Sequence, residues 1–311
     1  MGFVEFKSLP RVNSSDPAYD GFDPSAAPPY LMVPVRGVKF LQLNAVRANV
    51  ASIASDNPKI ATVRPATASE VPAAAKNVCA IEGQVTGTTF VTAKGPKGEE
   101  LAKVEVAVKN TRKVAVEVFL MSDKKHHTST TEAEAKEWVA MASRRIFEPQ
   151  INVKLALKSV RKKKIDRDLG DPIDFGSMGM MPFVKHDSDG DKRWHAITHG
   201  ADVARGVFNV FCVWDFIHSG DDDQFSAFVK SKTFISASDM AKSGANFNMC
   251  MIKPEDKIAM TPAYTVLAHE IGHYLEGFPF HYADTGDYPL MRGDGAIGEH
   301  LYKRDAEKMN R

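Results

Sequence analysis

The chain has 311 residues, about two domains at ~150 residues each. Hydrophobic residues make up 43% and charged residues 25%, which sets aside disordered, collagen-like and coiled-coil classes. Lys+Arg 40 against Asp+Glu 39 leaves a formal charge of +1, too balanced for a surface built to grip nucleic acid.

Residues 1–34 hold Pro10, Pro17, Pro24, Pro28, Pro29 and Pro34 beside Ser14, Ser15 and several Asp, a composition that resists helix and predicts an extended, Pro-rich N-terminal segment. No apolar run of signal-peptide length opens the sequence, and nowhere do about 18 apolar residues follow one another, so neither a Sec signal nor a membrane span is expected. Localisation stays open on these grounds. Cys79, Cys212 and Cys250 are too few and too scattered for a disulfide framework; the last two sit in apolar strand patterns and read as buried small hydrophobes.

From Val35 the chain turns to short β-type runs separated by turn residues. Val104, Val106 and Val108 alternate with Lys103, Glu105 and Lys109, one face dry and one wet. Several such strands between 35 and 110 predict a small β-sandwich. Ser55-Asp-Asn-Pro-Lys-Ile-Ala-Thr-Val63, Gly87-Thr-Thr-Phe-Val-Thr-Ala93 and the closing Val-x-Val-x-Val strand resemble a bacterial immunoglobulin-like domain of the second type. That resemblance implies a spacer or adhesive module and identifies no chemistry.

After residue 110 the rhythm changes, and a second domain is placed at 111–311. Residues 113–120 alternate as a strand. Residues 130–147 read as a helix, with Thr130 or Thr131 as cap, Glu132 and Glu134 at its N-terminal end, and Trp138, Met141, Ala142 and Arg145 at helical spacing. A strand is expected at 151–160, mainly loop at 166–205, and two apolar strands at 207–214 and 247–252. Helices close the pattern at 262–276 and about 297–309, an α/β or α+β plan.

The chemistry lies in Thr261-Pro-Ala-Tyr-Thr-Val-Leu-Ala-His-Glu-Ile-Gly-His-Tyr-Leu-Glu-Gly277. Thr261 suits an N-cap and Pro262 the first helical position. His269 and His273 are four apart, which puts both imidazoles on one helix face, able to share one ion. Glu270 projects beside them. In this pattern neutral imidazoles ligate Zn²⁺ and the carboxylate takes a proton from water. Gly277 can end the helix, Pro279 forbids its continuation, and His281 follows where a reversed chain can return a third imidazole.

Together with the turn Tyr288-Pro-Leu-Met291-Arg-Gly293, these residues resemble the metzincin clan of zinc endopeptidases. The resemblance implies an α+β zinc peptidase domain in which His269, His273 and His281 bind Zn²⁺, Glu270 is the general base and Met291 forms a turn beneath the metal. The departure is in the spacing: the clan's Gly and third His would fall at 276 and 279, where this chain has Glu276 and Pro279. Competing third ligands are Glu276, Asp284, Asp287 and Glu299.

Asp187, Asp189 and Asp191 alternate as in part of a calcium loop, but no Glu stands at the twelfth position, so a solvated acidic turn is the expectation. His195 and His199 share i,i+4 spacing without a firm helix and receive no metal. The function these residues point to is zinc-dependent peptide-bond hydrolysis on a protein or peptide substrate lying along an edge strand, provisionally 247–252. The rival is an adhesion or binding protein with structural zinc or no metal. The immunoglobulin-like module with no Sec signal suits a delivered bacterial effector engaging a secretion apparatus through its N-terminal region.

Overall fold

The structure is a computed structural model. It describes residues 3–9, 20–46, 48–71, 75–175, 189–198, 202–203, 206–217, 227–230, 247–251, 262–276, 290–291 and 298–311. The protein is β-rich and divides into two compact units, the first built from 1–112, 145–153 and 300–311 and the second from 113–144 and 154–299. The second unit opens at 113, close to the expected 111, but 145–153 and 300–311 belong to the first unit, so it is not the single run expected.

Unit one is a sandwich of two sheets. One sheet orders β1 (Phe3–Ser8), β4 (Val38–Val46), β7 (Val78–Gly83) and β6 (Ala61–Pro65), all neighbours antiparallel. The other orders β2 (Phe22–Asp23), β3 (Tyr30–Pro34), β9 (Glu100–Lys109), β8 (Gly87–Lys94) and β5 (Ser52–Ser55), with β3 parallel to β9. Between the sheets lie Phe6, Leu41, Leu43 and Ile81 from one side and Leu31, Val33, Val91, Val104, Val106 and Val108 from the other. The predicted alternation in β9 therefore does mark its dry face, and each such side chain contributes about 1.5–3 kcal/mol of burial.

The described parts of the Pro-rich segment at 1–34 are strands of the sandwich and not a separate extended segment. β1 pairs with β4 from Phe3↔Val46 to Ser8↔Leu41, and β3 pairs with β9 from Tyr30↔Glu105 to Pro34↔Lys109. Prolines are tolerated there because Pro28 and Pro29 precede β3 and Pro34 ends it, positions that leave the ladder's donors intact. The apolar residues Phe6, Leu31 and Val33 then outweigh the local preference for extended coil.

Unit two carries a five-stranded sheet in the order β11 (Val153–Lys164), β10 (Arg112–Ser122), β13 (Phe208–Cys212), β16 (Phe247–Met251) and β15 (Ala227–Lys230). Neighbours β10, β13 and β16 are parallel, whereas β15 is antiparallel to β16 and is the outermost strand on that side among the described residues. Strand β16 is thus paired on both sides, which removes the expected strand at 247–252 as the substrate edge. A short pair joins β12 (Ile173–Asp174) to β14 (Phe216–Ile217).

Helix α1 (Glu132–Met141) starts at Thr131, whose hydroxyl accepts from the Glu134 N–H while the Glu134 carboxylate accepts from the Thr131 N–H. This reciprocal box satisfies two otherwise unpaired donors and explains why the predicted start was legible. The chain continues as a π-helical stretch (Ala142–Phe147) and α2 (Glu148–Ile151). Helix α3 (Asp189–Thr198) falls inside the region expected to be mainly loop. Its Trp194 and Ile197 enter a core with Phe119, Phe211, Phe216 and Cys250, which stabilises a helix that composition alone disfavours. Helix α4 (Ala263–Glu276) carries the histidines, and α5 (Lys303–Met309) ends the chain within unit one. Among the described residues no helix is long and apolar enough to cross a membrane.

Candidate metal centre

Helix α4 is buried on nearly every side: Ala263, Val266, Leu267, Ala268, His269, Glu270, Ile271, Gly272 and Leu275 are all shielded. A helix apolar around most of its circumference belongs in a core, and Tyr274 packs on Phe208 of β13 with ring centroids 5.5 Å apart. Helix α1 and strand β15 also pack against α4. The motif therefore sits on a rigid central element.

His269 is 4% exposed and His273 half-buried. Their rings lie nearly perpendicular, 86° apart, and their Nε2 atoms approach to 3.1 Å. The other ring nitrogen of His269, Nδ1, lies 2.6 Å from the Leu290 carbonyl. That oxygen can only accept, so Nδ1 carries the proton and the His269 Nε2 presents a lone pair. With metal–nitrogen bonds of about 2.0–2.1 Å, nitrogens at this separation subtend roughly 100°, close to a tetrahedral angle. The donor set and its tautomer thus fit Zn²⁺.

Glu270 is 8% exposed, one residue after the first histidine, so its carboxylate emerges beside the imidazole face at the next 100° step. Leu290 and Met291 form a turn and are fully buried, at 0% and 1% exposure. The Leu290 carbonyl is the residue-level feature that sequence reading missed, since a backbone oxygen leaves no signature in the side-chain pattern.

His281, Asp284 and Asp287 lie outside the described residues. Glu299 accepts a hydrogen bond from the Tyr264 hydroxyl at the first turn of α4. Tyr264 stands five residues before His269 on the helix, about 7.5 Å along its axis. Glu276 is buried at the far end of the same helix. Of the calcium-loop residues, Asp187 and the Asp191 side chain lie outside the described residues. Asp189 opens α3 with its carboxylate on Lys192 at 2.9 Å, which accounts for its charge without a cation. His195 does lie on a helix, exposed; His199 is outside the described residues.

A second polar cluster joins Asp123, His126 and Asp168, whose ligand atoms lie within 4.8 Å of one another. Here Asp123 is spent on the chain itself: Oδ1 accepts from the N–H groups of Lys125 at 2.7 Å and His126 at 2.6 Å, and Oδ2 from Leu169 at 2.8 Å. Burial pushes its carboxyl up, but these N–H donors and the His126 ring prevail and hold it at about 2. It is a clip between two loops. The cysteines are also inert: burial pushes Cys79 up to about 11 and Cys212 up to about 12, far from thiolate chemistry.

No protein-family model matches the chain, and no curated protein matches it. Among solved structures it is similar to the surface layer protein SbsC, domains 1–6, at 20% identity over 25% of this chain and 11% of that one, TM-score 0.20. It is similar to SbsC domains 5–6 at 19% identity over 32% of this chain and 50% of that one, TM-score 0.21. A sialyltransferase from Photobacterium damsela aligns at 8% identity over 61% of this chain and 35% of that one, TM-score 0.21. The matched part spans less than two thirds of each of those chains, and likenesses at these TM-scores define neither fold nor activity here.

Proposed function

We propose that unit two is a zinc-dependent, metzincin-like endopeptidase. The observation that carries this reading is the imidazole pair on α4: two Nε2 atoms 3.1 Å apart, one with its tautomer set by the Leu290 carbonyl, with Glu270 between them in sequence. His269 and His273 hold Zn²⁺, with His281 as the third imidazole. When bound, the ion supplies Lewis acidity and brings the pKa of water towards ~7.

The protein's own groups do the rest. Glu270, shielded on the buried helix, accepts the proton of the attacking water and delivers it to the leaving amine. The Leu290 carbonyl keeps the His269 ring oriented, and a ring so fixed loses no freedom when it binds the ion. Strand β15, outermost in this sheet among the described residues, antiparallel to its neighbour and packed near α4, can receive an extended peptide as an added strand, which presents a scissile bond in a regular conformation.

The test is zinc analysis beside a proteomic cleavage screen of wild type and Glu270→Gln. One zinc in both proteins, with new peptide ends only for wild type, supports the reading. Metal-free wild type, or equal cleavage by both, overturns it.

A further inference from the structure

Strand β11 is strongly basic. Its twelve residues, Val-Lys-Leu-Ala-Leu-Lys-Ser-Val-Arg-Lys-Lys-Lys, hold six cations and no acid, in a chain whose net charge is only +1. It stands at the end of its sheet beside β10, outermost on that side among the described residues. A strand in that place pairs one row of backbone N–H and C=O groups with its neighbour and offers the second row to a further strand.

Two of the cations serve the fold. Arg161 donates to the Glu117 carboxylate at 2.8 Å and to the Asp202 carbonyl at 2.6 Å, and Lys163 pairs with the Asp202 carboxylate at 3.1 Å. Both lie over the Phe119 ring, 5.0 and 5.7 Å from its centroid, which fixes the face to which residues 161 and 163 turn. Alternation sends Lys162 and Lys164 to the other face. These two, with Lys154 and Lys158, are exposed, and none of the four forms an ion pair among the described residues. Glu132 feels the charge of Lys162 but is itself paired with Lys136 at 2.6 Å.

We propose that β11 is a docking edge for an acidic, extended segment of a partner protein, which adds as a strand beside it and sets carboxylates against Lys162 and Lys164. Side chains on one face of a strand repeat every ~7 Å, the spacing of these two lysines, so Glu or Asp at alternate positions of the added strand meets both. Edge lysines keep uncharged strands from pairing. The same charges draw an acidic strand, so the edge selects its partner. Nucleic acid is a poorer match, because β11 has no aromatic side chain on which a base could stack, and phosphates leave the backbone row unpaired. Lys154 to Lys164 all lie in unit two, and this docking is independent of the zinc reading.

The test uses the full chain and a labelled peptide alternating Glu with Thr over about twelve residues, the length of β11, with binding read by fluorescence anisotropy. A second peptide is N-methylated throughout, which keeps the charges and loses every strand N–H donor. A labelled oligothymidylate of similar length probes nucleic acid. Lys162→Glu/Lys164→Glu is compared with Lys59→Glu/Lys97→Glu, which makes the same charge change at exposed turn residues of unit one.

Wild type should bind the alternating peptide, more weakly as salt rises. The methylated peptide on wild type, and the alternating peptide on Lys162→Glu/Lys164→Glu, should each bind roughly 10-fold or more weakly. The Lys59→Glu/Lys97→Glu control should stay within about twofold of wild type, because its charges lie off the edge. The oligonucleotide should bind no better than the methylated peptide. No binding to wild type at low salt, equal binding of the methylated peptide, unchanged affinity in Lys162→Glu/Lys164→Glu, an equal loss in the control or tighter binding of the oligonucleotide would overturn the docking edge.

Discussion

The buried polar side chains of unit one and the imidazole pair of unit two serve different ends. In unit one Asp23, Gln150, Asn152 and Asn310 are buried, and each is hydrogen-bonded to backbone groups, stapling segments distant in sequence. Such a group is stabilising because its desolvation is repaid by a fixed partner. In unit two His269 and His273 turn nitrogen atoms towards each other. Without a cation the contact is satisfied only if His273 lends its Nε2 proton to His269, whereas an ion takes both lone pairs at once. Under the zinc proposal, the first kind of polar residue serves the fold and the second is directed at a ligand.

The largest expected effect cuts this comparison at its functional end. His269→Ala, or a strong chelator acting on wild type, should abolish hydrolysis and lower the melting temperature, because binding free energy to the folded state is lost. Activity that survives a chelator would place the chemistry elsewhere. Glu270→Gln should follow, with zinc kept and hydrolysis down roughly 10²-fold or more, since a proton acceptor is removed while both imidazoles stay. Single-turnover cleavage on a common peptide checks it, and turnover equal to wild type would remove Glu270 from the mechanism.

A stability effect comes next. Asp123→Ala strands the N–H groups of Lys125, His126 and Leu169 and should cost about 2–4 kcal/mol at pH 7. The sign with pH is fixed by the lowered carboxyl. Held at about 2 against an ordinary 3.8, Asp123 contributes fully above pH ~4, and its contribution fades as pH falls through about 2. Denaturant melts of wild type and Asp123→Asn should therefore converge on acidification. A gap that widens below pH 4 would show that the clip is not ionic.

What the sequence revealed follows the same division. The dry face of β9 and the start of α1 were legible because alternation and the Thr131–Glu134 box are local signals. His269, Glu270 and His273 were legible because spacing of four on one helix is local too. The sandwich strands within 1–34, the return of α5 to unit one and the order that puts β15 outside β16 were not, since all depend on pairings between residues far apart in the chain. Helix α3 was obscured by its Gly190 and its acidic start, which hide the apolar pair Trp194 and Ile197.

The smallest expected effect sharpens the site most. Glu299, like Glu276, is a described residue that could rival an imidazole as a zinc ligand, yet its carboxylate accepts from Tyr264 near the helix start. Glu299→Gln keeps an oxygen that can accept the same hydroxyl and removes only the negative charge. If Glu299 serves position and not coordination, zinc affinity should stay within about twofold and stoichiometry at one ion, because outer partners act through orientation. A carboxylate bound directly to zinc behaves differently: its amide is a far weaker donor to the metal, and affinity should drop by orders of magnitude. Chelator competition on wild type, Glu299→Gln and His273→Ala in one series separates the two cases. A loss in Glu299→Gln as deep as that in His273→Ala would make Glu299 the ligand and release His281 from that role.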